Sequence, residues 1–131
     1  MEAKRQQAQA MLDAKDVIRK VGKEFGEMTG RSYGLIEKFM MDDAEICIVA
    51  FGLSSRISKN AIIAAREKGI KVGMIRPITL WPFPAKPLLA AADKVKGFVC
   101  VELNMGQMKQ DVELAVRCKK PVSLCRRVGG M

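Results

Sequence analysis

Three apolar runs constrain what this chain can fold into more than any other feature: Ile46 to Phe51, Ile70 to Ile75 and Gly97 to Leu103. Each is rich in branched or aromatic residues, with Phe98, Val99, Cys100 and Val101 at the centre of the third. Strands covered on both faces of a parallel sheet have this near-continuous apolar character, whereas strands with one wet face alternate. Helical patterns separate the runs, and Pro121 to Cys125 reads as a fourth, shorter strand. Strand and helix in alternation predict an open, mostly parallel, doubly wound α/β sheet. Right-handed crossovers restrict its topology further.

The helical segments are legible from their spacing. After Gly52-Leu53-Ser54-Ser55, a helix runs to Lys68 with Ile57, Ala61, Ala64 and Ala65 among its apolar positions. Ser54 or Ser55 suits its N-cap, and Gly69 suits its C-terminal stop. Ala85 to about Ala92 is a short helix. Gln107 to about Cys118 is another, with Met108, Val112, Ala115 and Val116 on its apolar side. Residues 1 to about 26 form an amphipathic helix, with Ala10, Met11, Ala14, Val17, Ile18, Val21 and Phe25 three and four apart. Glu27 to Ser32 reads as a loop, and Tyr33 to Met41 fits either an edge strand or a helical turn. Arg76 to Pro84 reads as irregular, because Pro77, Pro82 and Pro84 remove donors and force extended backbone.

Composition excludes several classes of function. The chain has 131 residues, 49% of them hydrophobic, enough for one core. No apolar run approaches the roughly 20 residues that span a bilayer, and the N-terminus lacks a secretory pattern, so a cytoplasmic protein without a membrane segment is expected. The formal charge is +9, but Lys and Arg are scattered and one Tyr, one Trp and five Phe are too few to interleave with a basic groove. A solvated basic surface, or a face that meets an acidic subunit, is favoured over nucleic acid. Histidine is absent, which removes the commonest general base and metal ligand. None of Cys47, Cys100, Cys118 and Cys125 forms a Cys-x-x-Cys pair, so no metal or cluster site is expected. Cys47 and Cys100 read as small buried hydrophobes, and a reducing compartment fits.

Ligands of open α/β sheets bind beyond the carboxyl ends of the strands, where strand order reverses. If the first and third runs are neighbours, two loops line that crevice: Gly52-Leu53-Ser54-Ser55, and Glu102-Leu103-Asn104-Met105-Gly106-Gln107. Both open a helix with small residues, a form that can hold an anion on free N–H groups. Plainer roles compete. Ser54 and Ser55 can be simple caps, Glu102 can accept backbone N–H bonds, and Asn104 and Gln107 can tie down the loop. Trp81 and Phe83 sit on the proline-fixed loop, either as a preorganised interface or as a flap over the core. Both readings stand on the sequence.

These residues resemble a known family. Asp43 to Gly52, Gly69 to Pro84 and Val101 to Met108 are similar to the C-terminal, transketolase-C-like domain of the alpha subunit of 2-oxoacid:ferredoxin oxidoreductases. Arg127-Val128-Gly129-Gly130-Met131 fits as well, since the family usually continues past this point. The likeness covers roughly residues 30 to 131, and Arg76 to Pro84 looks most like the 2-oxoisovalerate, branched-chain type.

The resemblance implies a three-layer α/β/α fold with a five-stranded sheet, mostly parallel, and a short antiparallel edge strand within Tyr33 to Phe39. Residues 1–30 are then a helical connector and 31–131 the domain, with Gly129-Gly130 a turn or linker in a piece of a longer subunit. The family reaction is oxidative decarboxylation of a 2-oxoacid, with coenzyme A accepting the acyl group and ferredoxin the electrons. Thiamine diphosphate, magnesium and iron–sulfur clusters serve it, and none has its binding motif here. The expectation is an accessory assembly domain with no catalytic residue and no bound cofactor, whose partners are other subunits. Gly52, Ser54, Ser55, Arg76, Glu102, Asn104, Gly106 and Gln107 are expected to face a ligand or neighbouring domain, and Trp81 and Phe83 a subunit. The alternative is a module that binds coenzyme A or a nucleotide.

Overall fold

The computed structural model describes residues 2–128, so the expectation for Gly129-Gly130 lies outside the described residues. Five strands form one sheet in the order β1-β3-β2-β4-β5. They are β1 (Ile36–Phe39), β2 (Ile46–Ala50), β3 (Val72–Pro77), β4 (Gly97–Glu102) and β5 (Val122–Arg126). β1 pairs antiparallel with β3, which makes the ambiguous segment an edge strand. The remaining pairs are parallel.

Side-chain alternation divides the core. Cys47 and Val49 of β2, Ile75 of β3, and Phe98 and Cys100 of β4 face one side. There they meet α3 (Ala85–Ala92) through Leu88, Ala91 and Ala92, and α4 (Gln107–Ala115) through Met108, Val112 and Ala115. Ala50, Val72 and Met74 face the other side and pack on Ile62 of α2 (Gly52–Glu67). The chain steps from β2 to β3 in one direction and from β3 past β2 to β4 in the other. Right-handed crossovers then place α2 and α3 on opposite faces, which gives three layers.

α2 departs from the sequence expectation. Its buried residues are Ser54, Ser55, Ser58 and Ile62, while Ile57, Ala61 and Ala64 are exposed. Small side chains let the helix sit close on the sheet, and the bulkier apolar side turns outward. Gly69 ends the helix as expected, with its N–H on the Arg66 carbonyl and the Ile70 N–H on the Ala65 carbonyl.

Two boundaries also shift. α1 (Glu2–Thr29) takes in Glu27 to Thr29, which the pattern assigns to a loop, and it buries no residue. Arg76 and Pro77 belong to β3 rather than to the loop. Pro77 lies beyond the last β2 pair, Val49 with Ile75, so its missing N–H costs no bond on that side.

Burial pushes the Cys47 and Cys100 thiols up to about 12, while Cys118 and Cys125 are exposed. Thiolate is the reactive form. A disulfide reagent at pH 8 is expected to modify Cys118 and Cys125 in the native protein, and all four cysteines only after unfolding. Rapid native modification of all four would contradict this packing.

Candidate functional site

β2 and β4 are neighbours, with Ile46 opposite Gly97 and Ala50 opposite Val101. Strand order reverses between them, so the two loops flank the expected crevice. Its chemistry is decided by Glu102, the last residue of β4, only 1% exposed.

Glu102 Oε2 accepts the Met108 N–H at 2.9 Å, and Oε1 accepts the Lys109 N–H at 2.9 Å. Asn104 Oδ1 accepts the N–H groups of Gly106 at 2.7 Å and Gln107 at 3.3 Å. Four successive donors at the start of α4 are thus taken by the protein's own side chains. An exogenous anion would have to displace them. Gly106 is the N-cap at φ +98, and a Cβ there would meet Leu124 Cδ2 at 2.6 Å, so the loop requires glycine. The Gln107 side chain points to solvent. Asp111 lies one turn on, its carboxyl raised by burial and then by the Glu102 charge.

Ser54 and Ser55 are not N-caps. α2 begins directly at Gly52, its N-cap is Phe51, and no side chain caps it. Both serines lie inside the first turns and are buried, and Ser55 Oγ donates to the Gly52 carbonyl at 2.7 Å. Helix-to-sheet packing, rather than capping, explains these small residues.

Arg76 lies apart from that crevice, since β3 flanks β2 on the side away from β4. Its Nη1 donates to Glu37 Oε2 at 3.0 Å across the β1–β3 pair. Lys59 Nζ of α2 donates to Glu37 Oε1 at 2.5 Å and stands over the Phe39 ring. The Lys59 bond first, and Arg76 after it, hold the Glu37 carboxyl below its usual range. Through Glu37, Arg76 ties edge strand β1 to β3 and Lys59 ties it to α2, while Arg76 Nε is buried with no partner among the described residues. Neither Glu37 nor Lys59 stands out in the sequence, because only the strand register brings them together.

The structure separates Trp81 from Phe83. Trp81 is 56% exposed, whereas Phe83 is half-buried against the α3/α4 core. Pro82 and Pro84 are buried and hold the loop. Leu53, Leu80, Leu103 and Met105 are also exposed, and all follow strand ends. Their signal in the sequence is apolar residues in loops where polar turn residues are usual.

These features define an α/β module of the transketolase C-terminal kind. A split gene transketolase described as an inactive beta4 tetramer matches 73% of this chain and 34% of its own at TM-score 0.65 and 17% identity. A 2-oxoglutarate:ferredoxin oxidoreductase from Magnetococcus marinus, with 2-oxoglutarate, coenzyme A and succinyl-CoA bound, matches 76% of this chain and 17% of its own at TM-score 0.60 and 22% identity. Likeness at these identities is one of fold.

The pyruvate:ferredoxin oxidoreductase core domain II model matches residues 44–131, and the chain belongs to that family. Ketoisovalerate oxidoreductase subunit VorB of Methanothermobacter marburgensis is 47% identical over 94 residues, which is 72% of this chain and 26% of that subunit. The 2-oxoglutarate synthase subunit KorA of the same organism is 34% identical over 95 residues, 72% of this chain and 25% of the subunit. Pyruvate synthase subunit PorA of Methanothermobacter thermautotrophicus is 29% identical over 135 residues, 99% of this chain and 35% of the subunit. The chain thus spans about a quarter to a third of the length of these relatives.

Proposed function

We propose that this chain is a non-catalytic assembly domain of a 2-oxoacid:ferredoxin oxidoreductase, of the 2-oxoisovalerate type. The observation that carries the reading is Trp81, an exposed ring on a proline-held loop that bears no charge from Ile78 to Pro84. Large exposed apolar groups on a preorganised loop suit a protein interface. The branched-chain assignment is supported by the higher identity to VorB than to KorA or PorA. In this reading the parent enzyme decarboxylates the 2-oxoacid oxidatively to an acyl-CoA, and ferredoxin meets the complex rather than this domain. α1 serves as the connector, and the enzyme is cytoplasmic. Among the described residues, no helix is long and apolar enough to cross a membrane.

In this reading thiamine diphosphate, magnesium and iron–sulfur clusters are held elsewhere in the parent enzyme. Among the described residues, no three His, Cys, Asp or Glu side chains group as metal ligands. The closed start of α4 counts against coenzyme A or a nucleotide on that helix, whereas the start of α2 across the crevice has no side-chain cap.

Trp81→Ser in the intact enzyme is expected to weaken subunit association by about tenfold or more. Far-UV circular dichroism of the variant should be unchanged, since the ring is exposed. Sedimentation velocity checks the association. Unchanged assembly together with unchanged activity would sink the reading.

A further inference from the structure

The two ends of the sheet differ sharply in chemistry. At the amino ends of the parallel strands, the connections are densely charged and carry Asp43, Glu45, Lys71, Lys96, Lys119 and Lys120. Lys96 and Lys71 pair with Glu45, and Lys119 pairs with Asp93 nearby. At the carboxyl ends, the segments Gly52–Ser55, Ile78–Pro84 and Leu103–Gln107 contain no charged residue. They expose Leu53, Leu80, Trp81, Leu103 and Met105 instead, Met105 by 64%. The charges beside that edge are mainly basic: Lys4 of α1 beside Trp81, Arg56 and Lys59 of α2 beside Leu53, and Arg126 and Arg127 at the end of β5. The carboxylate beside Ile78, Glu37, is already paired with Lys59 and Arg76. Glu102, the carboxylate at the end of β4, is buried and committed to α4.

We infer that this carboxyl edge docks a protein surface that is apolar and bears carboxylates. Apolar protrusions need an apolar complement. Arg56, Arg126 and Arg127 have no carboxylate partner among the described residues, Arg126 reaching only the Met105 carbonyl and sulfur, and such arginines need anions that accept in a planar fork. A second copy of this chain would set arginine against arginine, on a protein whose net charge is already +9. The edge is rigid before docking, because Asn104 and Glu102 bond the β4 loop and buried prolines hold the β3 loop. Little entropy is lost when it binds. The inference rests on the assembly reading and adds to it the chemistry of the partner.

The test uses β5 as its own control. In the assembled enzyme, the pair Arg126→Glu and Arg127→Glu reverses charge at the carboxyl end of the strand. The pair Lys119→Glu and Lys120→Glu makes the same change at the amino end. Sedimentation at low and high KCl is expected to show at least tenfold weaker association for the arginine pair, with the salt dependence flattened, and no more than twofold for the lysine pair. Equal effects of the two pairs, or no effect of the arginine pair, would overturn the inference. If Trp81→Ser loosens the enzyme and the arginine pair does not, the assembly reading survives and the acidic partner is wrong. If neither acts, both are wrong. A photo-cross-linking phenylalanine at Met105 gives a second measurement that leaves the arginines intact. It is expected to capture a peptide of another chain that carries Asp or Glu. Capture of a second copy of this chain, of lipid or of RNA would overturn the inference.

Discussion

Replacing Gly73 by alanine is expected to destabilise the domain by about 3 kcal/mol or more, an overpacking penalty at the upper end for one methyl group. Gly73 lies in β3 opposite Cys47 of β2, in the middle of the sheet. A Cβ there would stand 2.8 Å from Met41 Sδ and 2.9 Å from the Met40 carbonyl carbon, with the carbonyl oxygen closer still. The obstacle is mainly backbone, so it cannot swing aside as a side-chain tip would. Met40 is held at φ +51, and its carbonyl accepts the Arg66 Nη2 hydrogen at 2.8 Å. Arg66 also grips Asp43 at 2.6 Å. To admit the methyl, the β1–β2 connection must lift and give up these bonds. Urea unfolding checks the value, and a loss below 1 kcal/mol would show that the connection is free to move. Met41→Ala in the same background should recover only a small part, because the sulfur is the lesser clash.

That close approach is invisible in the sequence, where Gly73 is one residue of an apolar run. What the run reveals is its own burial, because a strand covered on both faces needs apolar residues at every position. β2, β3 and β4 are legible for that reason, and so is the apolar side of α4, where Met108, Val112 and Ala115 keep a regular spacing. α2 misleads for a physical reason. Its sheet-facing side is built from serines, and its outward side carries Leu53, Ile57 and Ile63, so hydrophobicity points away from the core. A helix whose apolar side is not its buried side signals a surface for something else, which only burial data expose. Arg76 misleads through Pro77, which reads as a break but sits past the end of the β2 ladder. The two loops at the switch point follow from strand order and are legible. Their occupancy is not, because it depends on which donors meet Glu102 and Asn104.

Glu102→Ala is expected to cost about 3 kcal/mol. The substitution removes two charge-assisted hydrogen bonds and leaves the N–H groups of Met108 and Lys109 without acceptors, the first of them buried. Capping losses alone run to about 1 kcal/mol, so the excess measures the burial of the orphaned donors. Glu102→Gln should lose less, since its amide oxygen can still accept one of the two bonds. Asn104→Ala, which frees the more exposed donors of Gly106 and Gln107, should cost about 1 kcal/mol. The same variants ask whether the start of α4 is closed. With the carboxylate gone, the N–H groups of Met108 and Lys109 and the positive end of the helix dipole become available to a small anion, while Asn104 still holds those of Gly106 and Gln107. Sulfate, compared with chloride at equal ionic strength, is therefore expected to raise the melting temperature of Glu102→Ala by more than that of the native protein. Equal gains in the two proteins would mean that the carboxylate does not exclude anions, and the coenzyme A reading of this crevice would have to be reopened.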